Sequence, residues 1–503
     1  MHLRVLHAAA LAAALALAPP APAAYAQPAP GRGLGSQIDG ALFGREIAGA
    51  RWGALVVDLE SGRTLYEHDS GELFTPASNT KLVTTAAALH LLGPDFRYET
   101  TLWVEGTVSE GTLWGNLIVR GSGDPTLGAR FDGIDRRRIF RAWADSLRAM
   151  GIVRVAGDLV GDDDVFARDE PYGLGWEPED FIWGYGAQIS GLSFHEGTVL
   201  MRVRPTRVGA RAALSWEPAD TDYVTVVNAS MTRPAGGDIL ELYRRPDGTN
   251  QITVLAEVPS DTLEEEALAV HNPTAYFLHV LQRTLGENGV EVRGTAMEVA
   301  DWDRRPDYGM LELAATHYSV PLRDIIDVTN TESHNLFAEH ILRTLGALRY
   351  AGFEFRPGSA ASGVAAMWSF LEDADIPPHE VRLVDGSGLS PMNRVTPRAL
   401  VRLLRFMNNH PDPAVRQAFY RSLAVGGRTG TLERRFRSGP GYGNVHAKTG
   451  FINSVRTLSG YVTTSDGRRL AFAFLCNGFS GGTSRVTAAQ DAAVEVLARY
   501  SGR

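Results

Sequence analysis

Strand signals lie near both ends of this chain with a long glycine-broken stretch between them, a layout that commits the fold to a sheet built from both termini. The segment "RWGALVVDLESGRTLYEHD" (51 to 69) alternates apolar and polar residues around Glu60-Ser61-Gly62, the pattern of a β-hairpin. "TLSGYVTTSDGRRLAFAFLCN" (457 to 477) repeats that pattern around Ser465-Asp466-Gly467 and runs into the helical "SRVTAAQDAAVEVLARY". After the first hairpin, Pro76 and Ser78-Asn79-Thr80 precede the apolar "LVTTAAALHLLG", which reads as a helix start and a buried helix closed by Gly93.

From about 97 to 274 the texture changes to short alternating runs such as "TLWGNLIVRGSGDPTL" and "VRVAGDLVGDDDVFA", a mostly-β insert with one helix near 135 to 150. Within it, 205 to 265 has its own strand rhythm. Helical periodicity returns at 272 to 289 and at 333 to 346. The expected division is a discontinuous α/β domain of 37–96 and 275–503, an inserted domain of 97–204 and 266–274, and a further insert of 205–265. A length of 503 residues fits several domains, since single cores stop growing at about 250–300 residues.

The N-terminus has Arg4 as a positive n-region, an apolar run from Val5 to Ala18, and "AYA" at 24 to 26 before Gln27. Residues 1–26 therefore read as a secretory signal peptide, and the prolines that follow the short apolar run argue against a membrane anchor. Export to the periplasm follows, and no other segment is long and apolar enough to span a bilayer. Formal charge is −9, and the only basic block is "DRRRIF" at 135 to 140, so nucleic acid is excluded as the main partner. Cys476 is the only cysteine, which excludes an intrachain disulfide, and its apolar setting marks a buried thiol.

Of 49 basic residues only Lys81 and Lys448 are lysine. Arginine is always protonated, whereas a buried lysine amine can lose its proton and act as a base. Ser78 and Lys81 are three apart at a helix start, where i,i+3 side chains share a face and the dipole disfavours an ammonium. Lys448-Thr449-Gly450 opens a strand-like run in which glycine permits close backbone approach and the lysine and hydroxyl can bind a carboxylate. Ser333-His334-Asn335 stands at another helix start. Ser-x-x-Lys, Ser-x-Asn and Lys-Thr-Gly, in that order, are the mark of penicillin-interacting serine enzymes.

With these motifs the chain resembles the three-domain D-alanyl-D-alanine carboxypeptidase/endopeptidases among the low-molecular-mass penicillin-binding proteins. "GSGDPTL" (121 to 127), "HYSVPLRDII" (317 to 326), "VDGSGLSPMNRVTP" (384 to 397) and "GRTGTLERRF" (427 to 436) extend the resemblance over nearly the whole mature chain. The wide gap from Ser78 to Ser333 exceeds what a compact β-lactamase allows. The resemblance implies an α/β (α+β) fold: a penicillin-binding-protein/β-lactamase-like transpeptidase domain, its antiparallel sheet flanked by helices, plus two inserted mainly-β domains. It implies a peptidoglycan stem-peptide substrate, β-lactams as covalent inhibitors, and no metal or organic cofactor. Ser78 would be the nucleophile, Lys81 the base, Ser333 the proton relay, and Asn335 a partner of Lys81 or the substrate amide. Lys448 and Thr449 would hold the terminal carboxylate, and the charge of Lys448 would help keep Lys81 neutral. Gly450 gives access to the backbone, and the N–H groups of Ser78 and Phe451 would form the oxyanion hole. Asp162, with Phe166 nearby, is the candidate acid facing the amine of a diamino-acid side chain.

The one departure is His334, where aspartate is commoner, in a position that usually points away from the chemistry. The thirteen histidines form no metal-ligand spacing. "GSGDPT" lacks a phosphate loop's Gly-Lys ending, and Gly386 and Gly388 read as turn glycines beside a structural Ser387. Two other readings stay open: a β-lactamase or esterase with the same motifs, and a wall-binding protein whose serine site has decayed.

Overall fold

A computed structural model describes residues 33–502 apart from 44–46, 48, 129, 132, 134, 219–220, 237–238, 245–247 and 350–356. The signal segment read at 1–26 lies outside the described residues. A six-stranded antiparallel sheet joins the two ends of the chain, in the order Ala424–Val425, His446–Ile452, Val455–Thr463, Arg469–Asn477, Arg51–Asp58, Thr64–His68. Its central strands are apolar at nearly every position because both faces are covered. Trp52, Ala54, Val56, Phe472, Phe474 and Cys476 pack under the helices Leu34–Leu42 and Thr483–Arg499. Leu55, Val57, Ala471, Ala473 and Leu475 face the larger helical layer. Burial drives the Cys476 thiol up to about 12, which makes it inert.

At the centre of that layer runs the helix Thr80–Leu92, buried from Thr80 to Leu89 and closed by Gly93 at φ 82°. It packs against the helices Leu322–Thr331, Asn335–Arg349, Ala360–Asp373, Pro397–Asn408 and Pro413–Ser422. A helix surrounded in this way is apolar all round, with the small Ala86-Ala87-Ala88 run admitting close neighbours.

The inserted part leaves and returns side by side. Ser319 N–H donates to Tyr98 O at 3.0 Å and Leu322 N–H to Phe96 O at 2.8 Å, and strand Glu99–Ser109 pairs antiparallel with Glu312–Tyr318. These two belong to a seven-stranded sheet that also holds Thr112–Arg120 and Leu159–Asp162. Two smaller sheets, of three and four strands, share its hydrophobic core.

The domain limits differ from the expected ones. The chain does not return to the catalytic part at 275: helix Pro273–Glu287 buries Tyr276, Phe277, Leu278, Val280 and Leu281 in the insert core, beside Phe140 and Trp143. Periodicity identifies a helix but not the sheet that receives its apolar face. Strand Thr198–Arg204 pairs with both Ala213–Glu217 and Glu264–Ala269, so the proposed cuts at 204 and 265 pass through one sheet.

Truncation of Phe277, which is fully buried, tests the new limit. Phe277→Ala should destabilise the insert by about 3–5 kcal/mol. Amide hydrogen exchange should quicken in Glu99–Ser109 and Thr112–Arg120 while Arg469–Asn477 stays protected.

Candidate active site

The chain reaches Ser78 through a strained turn. Ala77 sits at φ 46°, in the left-handed region that alanine rarely adopts, and a short 3₁₀ turn Ala77–Asn79 leads into the central helix. Close packing holds the turn in place. Asn79 Nδ2 donates to Lys448 O at 3.1 Å and to Thr457 Oγ1 at 2.7 Å, and the Thr457 hydroxyl donates to Pro76 O at 2.7 Å. A Cβ on Gly450 would lie 2.1 Å from Thr457 Oγ1 and 3.0 Å from Ser78 N, so only glycine lets strand His446–Ile452 lie against the turn. Gly388, at φ 81°, meets the other side, where a Cβ would stand 1.9 Å from Ala77 O.

Both lysines are fully buried and converge on one crevice. Lys81 Nζ donates to Ser78 Oγ at 3.1 Å, to Asn335 Oδ1 at 2.6 Å and to Ser387 O at 2.6 Å. Lys448 Nζ donates to Ser333 Oγ and to Thr449 O, each at 2.9 Å. Ser78, Lys81, Ser333, Asn335 and Lys448 thus meet as the motif order predicts, with Thr449, Gly450 and Phe451 on the adjoining strand.

Burial lowers Lys81 to about 7 against the opposing pull of Asp385 and Glu339. Burial, and then repulsion from Lys81, drive Lys448 well below the ordinary lysine range. The carboxylates lie on the Lys81 side and oppose the loss of its proton, whereas the charge that acts on Lys448 is that of Lys81.

Sequence reading missed the groups behind Lys81. Glu339 Oε1 accepts the N–H groups of Gly386 and Ser387 at 3.0 and 2.8 Å, fixing the loop whose Ser387 carbonyl receives Lys81 Nζ. Arg343 Nη1 holds its other oxygen at 2.8 Å in a fully buried pair. Asp385 ties the same loop through Gly388 N, Ser390 N and Asn393 Nδ2, and accepts Trp176 Nε1 from the insert at 2.9 Å. The spacing from Asn335 to Glu339, one helical turn, was the available signal.

Asp162 closes a sheet strand of the insert, where its carboxylate accepts the Tyr308 hydroxyl and the Asp164 N–H, and Phe166 is buried in an apolar cluster with Leu336. Its place in "DDD" gave no register for the strand that carries it. The insert also presents Tyr185, whose carbonyl accepts Asn335 Nδ2 at 2.9 Å and whose hydroxyl donates to Asp180 at 2.9 Å.

A hydroxyl hydrogen-bonded to a buried amine of lowered basicity, on a strained turn at a helix start, is an arrangement that can activate a serine for nucleophilic attack. The model of the D-Ala-D-Ala carboxypeptidase 3 (S13) family matches residues 34–500, and the chain belongs to that family of serine-type hydrolases. It is 34% identical over 443 residues to a D-alanyl-D-alanine carboxypeptidase of Actinomadura sp. (strain R39), covering 86% of this chain and 78% of the relative. It is 29% identical to the D-alanyl-D-alanine carboxypeptidase DacB of Haemophilus influenzae, with 81% of each chain covered. The crystal structure of penicillin binding protein 4 (dacB) from Haemophilus influenzae superposes with a TM-score of 0.78 at 25% identity, over 92% of this chain and 99% of that one.

Removing Asn79, which is fully buried, leaves the Thr457 hydroxyl and the Lys448 carbonyl each short of a donor. Asn79→Ala should lower stability by about 1–3 kcal/mol. Calorimetry should register this as a drop in the melting temperature.

Proposed function

We propose that the chain is an exported serine D,D-peptidase that acts on peptidoglycan stem peptides through an acyl-enzyme on Ser78. The observation that carries this reading is the pair of buried amines, Lys81 on Ser78 and Lys448 on Ser333, within one hydrogen-bonded crevice. Ser78 Oγ attacks the carbonyl between two D-alanines and gives its proton to Lys81 Nζ. The developing oxyanion takes the N–H groups of Ser78 and Phe451, each such donor contributing about 3–4 kcal/mol. Ser333 passes a proton to the leaving D-alanine amine, and water then hydrolyses the ester.

Lys448 and Thr449 receive the substrate's terminal carboxylate. That charge raises the proton affinity of Lys448, and a proton moving there leaves Lys81 as the free base. Substrate binding and base activation are thereby the same electrostatic event. Asp162 is the acid offered to the amine of a diamino-acid side chain, and Asp180, which accepts the Tyr185 hydroxyl, is a second carboxylate on the insert. The absence of any long apolar helix among the described residues is compatible with a protein released after export.

Labelled penicillin should attach covalently to the protein, and Ser78→Ala should abolish the adduct. Mass spectrometry of wall fragments should show loss of terminal D-alanine or opening of D,D-cross-links. Retained label in Ser78→Ala, or unaltered fragments, would remove this reading.

Lys81 must be neutral to act. Below about 7 it carries a proton, so the acylation rate should rise as pH climbs through about 7. A substrate amidated at its C-terminus lacks the charge that draws the proton to Lys448. Its rate should be lower and its rise displaced to higher pH, which a pH series on paired acid and amide peptides measures.

A further inference from the structure

Ser333 is the weakest-supported member of the site. It lies in the turn between two helices at φ 69°, a left-handed conformation that costs a non-glycine residue about 1–2 kcal/mol. Such a conformation persists only where its surroundings over-determine it. The residues around Ser333 are each held by the inserted part of the chain. Arg130 Nη1 donates to both Glu332 oxygens at 2.9 and 2.8 Å, Glu196 Oε2 lies 2.8 Å from His334 Nε2, and Tyr185 O accepts Asn335 Nδ2. Arg130 Nε also donates to Glu196 Oε1 at 3.2 Å, which joins two of these ties into one network.

We propose that Glu196 and His334 are positioning residues through which the insert holds Ser333 against Lys448, an inference that rests on the acyl-enzyme reading above. The hydrogen-bond pattern fixes the imidazole. Phe337 N–H donates to His334 Nδ1 at 3.4 Å, capping the helix, so Nε2 carries the proton and donates to Glu196. Burial alone would raise the Glu196 carboxyl, but the hydrogen bonds from His334 and Arg130 and the Arg130 charge oppose it and favour the carboxylate. Glu196 and its neighbour His195 are both left-handed, at φ 57° and 54°, so backbone strain on the insert side aims this carboxylate at the motif. An aspartate at 334 would cap the helix equally well but would set a second carboxylate against Glu196. The histidine in place of the commoner residue is therefore matched to Glu196.

The test uses the full chain, labelled penicillin and the saturating rate constant of acylation, with Ser78→Ala as the blank. Label on that blank would overturn the acyl-enzyme reading itself, before the positioning question arises. With the blank clean, His334→Asp should slow acylation about 10- to 100-fold, the range that follows a misplacement of about 1 Å. The concentration giving half-saturation should stay within about threefold, because the penicillin carboxylate still meets Lys448 and Thr449. Glu196→Gln keeps an acceptor for His334 and should cost only a few-fold. The double variant His334→Asp/Glu196→Gln should recover most of the loss, since the amide can donate to the new carboxylate. Acylation by His334→Asp within twofold of the parent would overturn the proposal. So would a double variant no faster than His334→Asp, or a loss that matches a fall in folded fraction by circular dichroism.

Discussion

Two amines buried in a single crevice are the constraint around which the rest of the molecule is arranged. An isolated ammonium in a dry interior is costly, and two near each other are costlier, so the pair cannot hold two protons comfortably. The surroundings divide the burden unequally. Glu339 and Asp385 sit behind Lys81, whereas Lys448 has Ser333 and a backbone carbonyl as its partners. This asymmetry makes one proton readily movable between the two sites.

The motif residues were legible because arginine bias made each lysine conspicuous, and because Ser-x-x-Lys depends on local helix geometry alone. The terminal hairpins were legible for a similar reason, since a period of two and a turn glycine are local signals: Gly62 and Gly467 do take positive φ, at 71° and 87°. What stayed hidden depends on partners distant in sequence. Glu339 reads as one of several polar residues on its helix until the 386–387 loop folds onto it. Helix 273–287 could be counted but not assigned, because both cores accept the same apolar stripe. The partner of Asp162 was hidden for the same reason, since Tyr308 lies 146 residues away.

The insert enters the argument first as topology. It departs after Phe96 and returns by Leu322, with a hydrogen bond joining those two points. Closing a long loop costs little more than closing a medium one, roughly 0.6 kcal/mol per doubling of length. The catalytic sheet and its central helix can therefore tolerate the interruption. Tolerance does not explain position, however, and the chain could have been interrupted in any exposed turn.

Position follows from the mechanics of the site's three supports. Ser78 and Lys81 ride on a helix surrounded on all sides, and Lys448 on a strand paired with both neighbours. Ser333 has neither advantage: it occupies a left-handed turn between two helices, fixed by no ladder or helix of its own. The insert emerges immediately after the nucleophile helix and rejoins at the helix that leads into Ser333, so its loops fall where that turn needs support. Tyr185, Glu196 and Arg130 supply it from three separate points of the insert. The insert thus forms a wall beside the Ser78 crevice, and its contacts fall on the residues that flank the left-handed Ser333.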